Sequence, residues 1–308
     1  MEMNVIGKAP QHIAMHPLLE LPKDALARIL PQKSLSVLEF LSFKLPAIMV
    51  TTKHVTIEAF FSKDQPSLGD AQLIQDLPIH STQSGTLNGF AVVEPVVKLA
   101  VYATDDWLFD VHENQMLDLL RRRIQRQPQS QKIEIENIYF YGFLKKAYEI
   151  HSSGEHEGRY FAHARETGDA MALGLGSCIG FLVNINENHW VAVVIDFESS
   201  TIFYGDSIYT KLPTGFLAVL HWWTHHHTGQ HFEEKSLIIT HRKDSFSCGL
   251  LSFNALAHHV LPSEYPLIMA LQVRIGRLNV MLDVIDRHLN QNSALAGKVD
   301  LPIPTTNN

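Results

Sequence analysis

The sequence predicts an α+β fold in which a central, mostly antiparallel sheet lies beside a helix that begins at a cysteine. Three consecutive stretches, SCIGFLVNIN, HWVAVVIDF and STIFYGDS, are enriched in Val, Ile and Phe, as β-strands are. Because only a few residues join them, we expect an antiparallel meander. Cys248 comes later, with serines just before it and an apolar run after it that suits a buried helix.

The composition narrows the class of protein. A chain of 308 residues with 45% hydrophobic content suffices for one large domain, or a medium domain with an appendage. The net charge of −7 argues against nucleic-acid binding, so we interpret the run RRRIQR as a solvated helix end. Two cysteines are too few for a disulfide scaffold and favour an intracellular protein, nuclear or cytoplasmic. We expect neither a secretory signal nor a membrane span.

The segments before the meander differ in character. Residues 1–95 carry no recognisable motif, and we expect a mainly helical region of unknown role that packs on the rest. From residue 96 the pattern changes. DDWLFDVHENQMLDLLRRRIQR has helical periodicity, and ENIYFYGFLKKAYEI is a second helix or a strand leading into one. HSSGEHEGRYFAHARETGD predicts a polar loop in which a helix begins.

The segments after the meander complete the predicted fold. TGFLAVLHWWTHH predicts a helix, and KSLIITHR predicts a fourth strand that ends at the loop before Cys248. A long amphipathic helix is expected from about Leu267. Residues 292–308 are polar and contain proline, so we expect a frayed tail.

Cys248 has a chemically special position if the helix begins there. The first-turn N–H groups of a helix are unpaired and the helix dipole is positive, so a thiolate is favoured over a thiol. The thiolate is the nucleophilic form of cysteine. The alternative is that Cys248 is a small buried hydrophobic residue, as most free cysteines are.

The meander brings two potential partners to one end of the sheet. His189 starts one strand and Asp206 follows the next, so adjacent antiparallel strands place both side chains at the same end. His can take the thiol proton and protonate a leaving amine, while Asp orients the imidazole. Asp196 is a rival partner, but it lies near the far end of the histidine's own strand. The alternatives are a packed strand histidine, and a turn or cap at Asp206.

These residues resemble a known family. NHWVAVVID, IFYGDS and SFSCG look like the core of the ubiquitin-like-protein-specific cysteine proteases, which process SUMO or NEDD8. That family shows His-Trp, a strand ending in Ile-Asp, an Asp-Ser after the next strand and a Cys-Gly that opens a helix. DDWLFDVHENQMLDLL resembles its Trp-Leu-x-Asp entry segment. The resemblance covers roughly residues 98–262 and implies a papain-like fold.

The resemblance implies a role for each matching residue. Cys248 is the implied nucleophile, His189 the general base and acid, and Asp206 the orienting carboxylate. Trp107 and Trp190 are implied to line a narrow channel for a Gly-Gly tail; plain core packing is the alternative for each. Arg242 stands where the family usually has a glutamine that donates to the oxyanion, and Ser247 replaces an Asp that often precedes the nucleophile. These departures put the oxyanion hole in doubt.

The sequence therefore predicts a thiol isopeptidase domain over residues 96–291. It would cleave after the C-terminal glycine of a SUMO- or NEDD8-like modifier, free or conjugated, without a cofactor and without binding nucleic acid or membrane. The first alternative is a catalytically weakened binder of such a modifier that keeps the protease fold. The second is a metal site at His221 and His225, which share a helix face but lack a further ligand at a recognised spacing.

Overall fold

The computed structural model describes residues 85–127, 132–208, 212–213 and 215–296. The strands are β1 (Thr86–Leu87), β2 (Glu94–Pro95), β3 (Ile133–Ile135), β4 (Cys178–Ile185), β5 (His189–Asp196), β6 (Thr201–Gly205) and β7 (Glu233–Ser236). The α-helices are α1 (Asp110–Gln125), α2 (Phe140–Ile150), α3 (Ala162–Ala172), α4 (Phe216–Thr228), α5 (Cys248–Val260) and α6 (Val273–Ala296). Short 3₁₀ segments are Val96–Ala103, His151–Ser153, Glu155–Glu157, Arg159–Phe161 and Ala270–Gln272.

A five-stranded sheet in the order β3-β4-β5-β6-β7 forms the centre of the fold. The three middle strands are antiparallel, which confirms the predicted meander. The two outer strands are parallel to their neighbours, so the sheet is mixed. The α+β class and the papain-like arrangement are both confirmed. A separate two-stranded hairpin joins β1 and β2.

Strand β5 is buried on both faces and divides the interior into two layers. Trp190, Ala192 and Val194 point to the side that holds α1, α5 and α6. The alternate residues Val191, Val193 and Ile195 point to the side that holds α2, α3 and α4. This period of two is the side-chain alternation of a strand. Helices on both faces explain why β5 is an almost continuous hydrophobic run.

Helix α5 packs closely across the sheet and fixes Cys248 relative to His189. A Cβ at Gly180 would lie 2.4 Å from the Leu256 Cδ1 atom, so glycine allows the close approach. The Ser252 hydroxyl donates a hydrogen bond of 2.8 Å to the Trp190 carbonyl oxygen. The cysteine helix is therefore tied to the residue that follows His189.

The prediction of a fourth strand at KSLIITHR is wrong in position. Strand β7 occupies Glu233–Ser236, and residues 237–247 form no strand. The apolar run beginning at Leu237 suggested a strand, but pairing depends on the main-chain register with β6. Leu237 instead turns its side chain into the core, where it contacts Gly205.

The last helix begins at Val273, later than the predicted start near Leu267. The Asn254 side chain accounts for the delay, because its Nδ2 donates to the Pro266 carbonyl and its Oδ1 accepts the Ile268 N–H. These bonds hold the main chain outside a helix. Helix α6 continues to Ala296, five residues into the predicted tail.

The predicted N-terminal region lies mostly outside the described residues. Its described part, residues 85–95, contains the hairpin of β1 and β2, and the 3₁₀ segment Val96–Ala103 follows directly. Residues 297–308 of the predicted tail also lie outside the described part. Within the part of the chain that the structure describes, no helix combines the length and apolarity needed to cross a bilayer.

Candidate active site

Cys248 is the first residue of α5, as predicted, and its side chain is buried. Asp244 orients the preceding loop, because its Oδ1 accepts the N–H groups of Phe246 and Ser247 at 2.9 and 2.8 Å. Sequence reasoning missed this role of Asp244. An aspartate that precedes a helix start by a few residues is a recognisable turn signal that could have revealed it.

His189 and Asp206 meet at one end of the sheet. The His189 Nε2 lies 2.7 Å from Asp206 Oδ1, and both side chains are buried. The same Oδ1 accepts the Ile208 N–H at 2.8 Å, which fixes the carboxylate. The histidine nitrogen that remains for Cys248 is Nδ1. A carboxylate on Nε2 favours the tautomer with its proton there, so Nδ1 is free to accept one.

The Nδ1 atom of His189 makes no hydrogen bond among the described residues. Catalytic hydrogen bonds often tighten only when substrate binds, so Nδ1 remains the nitrogen that can serve Cys248. Burial by itself would lower the pKa of His189, but Asp206 and Cys248 raise it to about 9. Burial would raise the pKa of Cys248, but His189, the Trp190 main chain and the charge of Arg242 lower it. An imidazolium–thiolate pair is therefore favoured.

The second cysteine has the opposite electrostatic character. Cys178 lies at the start of β4, and burial, together with Asp196 and Glu198, raises its pKa to about 12. A thiol with so high a pKa is a poor nucleophile at neutral pH. The two cysteines therefore differ sharply in expected reactivity.

Asp196 lies at the opposite end of the sheet from His189. It pairs with Cys178, whereas His189 pairs with Ile185 at the other end of the same ladder. Its carboxylate accepts the N–H groups of Glu198 and Ser199 in the turn after β5. The Asp196 carboxylate therefore stabilises the turn after β5 and does not reach the His189 imidazole.

A groove of about 820 Å³ opens onto Cys248 and is lined by both predicted channel residues, Trp107 and Trp190. Trp190 is only 5% exposed, whereas Trp107 is 44% exposed. The Trp107 Nε1 donates a hydrogen bond of 2.7 Å to the Ser245 carbonyl oxygen. This bond ties the exposed indole to the loop that precedes the nucleophile. Further along, Phe109 and Tyr139 give the groove an aromatic wall.

Arg242 contacts both the residue after Asp206 and the loop before α5. Its main-chain N–H donates to the Ser207 carbonyl at 3.0 Å, directly after Asp206. Its Nη1 donates to the Ser245 carbonyl oxygen at 3.3 Å. That bond is long, so the guanidinium can exchange it for another acceptor at small cost. Its positive charge favours the thiolate of Cys248.

The histidine-rich helix α4 does not bring His221 and His225 together around a ligand set. His221 pairs instead with Glu234 at 2.8 Å. Within the described residues, the only three potential metal ligands that converge are His156, Glu157 and His226, within 4.8 Å of one another. Glu157 and His226 are exposed and His156 is partly buried, and the contacts of both histidines with Glu157 also fit imidazole–carboxylate pairs.

A papain-like fold whose helix begins at a cysteine of lowered pKa, beside a histidine–aspartate pair, defines a thiol protease. Residues 106–262 match the family described as the Ulp1 protease family, C-terminal catalytic domain. Because this match spans half of the chain, the chain belongs to the Ulp1 protease family. The resemblance stated from sequence is thereby confirmed.

Solved structures share the fold at low sequence identity. One, described as the SUMO protease Ulp1 with its catalytic cysteine oxidised to a sulfenic acid, has a TM-score of 0.51 and 17% identity. That match covers 72% of this chain and 97% of the other. The Chaetomium thermophilum Ulp1-like SUMO protease catalytic domain has a TM-score of 0.51 and 14% identity, covering 74% and 91%. No curated protein sequence matches the chain significantly.

Proposed function

We propose that this protein is a thiol peptidase and isopeptidase that cleaves after the C-terminal glycine of a SUMO- or NEDD8-like modifier. In this proposal Cys248 is the nucleophile, His189 the general base and acid, and Asp206 the orienting carboxylate. The proposal depends chiefly on the 2.7 Å contact between His189 Nε2 and Asp206, which leaves the Nδ1 atom available to the thiol. We further propose that residues 96–291 form the catalytic domain, which acts inside the cell, in the nucleus or cytoplasm.

The first half of the reaction forms a thioester. The Cys248 Sγ attacks the carbonyl carbon of the terminal glycine, and the carbonyl oxygen becomes an oxyanion. The main-chain N–H of Cys248 belongs to the first helical turn and is available to this oxyanion. As the C–N bond breaks, the His189 imidazolium gives its Nδ1 proton to the leaving amine.

The second half of the reaction releases the modifier. Neutral His189 removes a proton from water, and the resulting hydroxide attacks the thioester carbon. The C–S bond breaks, and the sulfur leaves as a thiolate beside the newly formed imidazolium. The modifier leaves as a carboxylic acid, which loses its proton to solvent. No cofactor takes part in either half.

The groove supports a modifier tail as the substrate. Two indoles beside Cys248 suit a narrow polypeptide without side chains, such as Gly-Gly, and the aromatic wall suits the preceding residues. The structural neighbours described as SUMO proteases support the same class of partner.

Modifiers that carry a C-terminal electrophile test the proposal directly. We expect such a panel to label Cys248 and to spare Cys178, whose thiol is held protonated by its surroundings. Mass spectrometry of the labelled peptides identifies the site, and the reactive member of the panel identifies the modifier. Labelling confined to Cys178 would remove Cys248 from the role of nucleophile.

The departure at Arg242 favours a second candidate function, a weakened binder that keeps the fold and the groove. Arg is longer than Gln and permanently charged, so it does not reproduce a short neutral amide. In the resting site its guanidinium donates to the Ser245 carbonyl oxygen. A modifier-binding function explains the groove. A protease function explains the groove and also the presence of Cys248, His189 and Asp206 together.

Two substitutions of Arg242 distinguish the protease function from the binding function. If the guanidinium reaches the oxyanion, Arg242→Ala should lower single-turnover cleavage by about 100-fold or more, while Arg242→Gln is tolerated. We expect this result, because the bond that restrains the guanidinium is long. Faster cleavage by Arg242→Gln than by the wild type would indicate that arginine impairs turnover. No cleavage by the wild type or Arg242→Gln, with modifier binding retained, would establish the binder.

A further inference from the structure

A buried carboxyl group lies directly behind the candidate nucleophile. Glu113 of α1 is 0% exposed, and neither of its carboxyl oxygens has a hydrogen-bond partner among the described residues. A Cβ at Gly249 would lie 1.9 Å from Glu113 Oε1 and 3.4 Å from Trp190 Cδ1. The carboxyl group therefore fills the space beside the first turn of α5, next to Cys248. Buried polar groups without partners are rare in folded proteins.

The charges that face Glu113 do not neutralise it by direct contact. Arg277 of α6 is a cation that acts on Glu113, but its guanidinium donates to the carbonyl oxygens of Val101, Tyr102 and Asp106. Tyr102 uses its hydroxyl for other acceptors on α1. Asp110 on the same helix and Cys248 on α5 both disfavour a negative charge at Glu113.

Burial, Cys248 and Asp110 all raise the pKa of Glu113. Burial first, and then the Cys248 thiolate, raise the pKa of Glu113 well above 4.5, its ordinary value, against a smaller opposing effect of Arg277. The pKa of Cys248 is lowered in the same site. The two shifts bring the pKa values of Glu113 and Cys248 closer together, because each group disfavours a second negative charge at this helix start.

We propose that Glu113 is a positioning residue of the thiol site, which stays protonated so that the single negative charge at the start of α5 resides on Cys248. The neutral acid packs against Gly249 and holds the first turn without competing for the positive end of the helix dipole. The proposal rests on Cys248 being the reactive thiol, and it adds a third ionisable group to the pair of His189 and Cys248.

The first consequence is a gain of stability on removing the acid. A raised folded-state pKa means that stability is fully present below pH 4.5 and is lost as pH rises through the folded pKa. Glu113→Gln keeps the shape and stays neutral. We therefore expect this variant to melt at a higher temperature than the wild type near neutral pH, with the difference vanishing as the pH approaches 4.5.

The second consequence is coupling to the thiolate, measured by a double-mutant cycle across pH. In Cys248→Ala the thiolate charge is gone, so the gain from Glu113→Gln should be smaller than in the wild type. Asp118→Asn is the matched control, because Asp118 is a buried carboxylate of the same helix that bonds to Ala91 and Arg121. We expect the control to change stability without coupling to Cys248→Ala.

Three results would overturn the proposal. The first is an equal gain from Glu113→Gln with and without Cys248, and the second is no gain in either background. The third is a lower pH midpoint for iodoacetamide alkylation of Cys248 in Glu113→Gln, which would mean that Glu113 is ionised while the thiolate forms. None of these measurements needs a modifier substrate, so they fail separately from the proposed protease activity.

Discussion

Replacing either partner of the proposed nucleophile should stop turnover while leaving the fold intact. We expect His189→Ala and Asp206→Ala each to lower the cleavage rate by on the order of 10⁴-fold, the scale of losses in triads that lose such a member. Single-turnover cleavage of a modifier fusion measures the loss. Circular dichroism and thermal melting verify that each variant is folded.

The physical reason is the tautomer and charge of the imidazole. Asp206 accepts from His189 Nε2 and supports a raised pKa of about 9, so His189 is charged at neutral pH and can protonate a leaving amine. Without the carboxylate the pKa of His189 falls, and the ring loses its fixed orientation. The imidazolium form, and with it the rate, should then be lost at a lower pH than in the wild type.

Asp196→Ala is the matched control for the aspartate. Asp196 ends the same strand that His189 begins, and its carboxylate serves the turn at Glu198 and Ser199. We expect a modest loss of stability and little change in catalysis. If Asp206→Ala cleaved at the wild-type rate while Asp196→Ala were inactive, Asp196 and not Asp206 would be the orienting carboxylate.

The parts of the fold that were predicted correctly depend on local pattern. The connection of three residues between β4 and β5 forces an antiparallel pair, and this pair with β6 brings His189 to the same end of the sheet as Asp206. The start of α5 at Cys248 follows from the serines and the apolar run around it. These features need only neighbouring residues, so the sequence contains them directly.

The parts that were missed depend on contacts between distant segments. Strand β7 is defined by its main-chain pairing with β6. Its four residues are all exposed, so they lack the alternation of polar and apolar side chains that predicts a strand. The late start of α6 depends on Asn254, which belongs to α5. The position of Glu113 beside Gly249 joins α1 to α5, and helical periodicity alone does not show which residue faces a nucleophile.

The channel gives the second large prediction, on the substrate side. Trp107 and Trp190 line the groove at Cys248, and glycine is the residue that passes a narrow aromatic gap without steric cost. Replacing the penultimate glycine of the modifier by alanine should therefore abolish measurable cleavage. Steady-state and single-turnover assays on the matched Gly-Gly and Ala-Gly fusions make the comparison.

A variant of the protease separates channel width from other effects of the added methyl group. Trp107 is the more exposed of the two indoles, so Trp107→Ala should widen the entrance while the core around Trp190 stays packed. We expect this variant to cleave Gly-Gly more slowly than the wild type, since the Ser245 carbonyl loses its indole donor. Its preference for Gly-Gly over Ala-Gly should nevertheless shrink, because the wall that excludes the methyl group is gone. Equal cleavage of both fusions by the wild type would show that the indoles do not select the tail, and would leave core packing as their role.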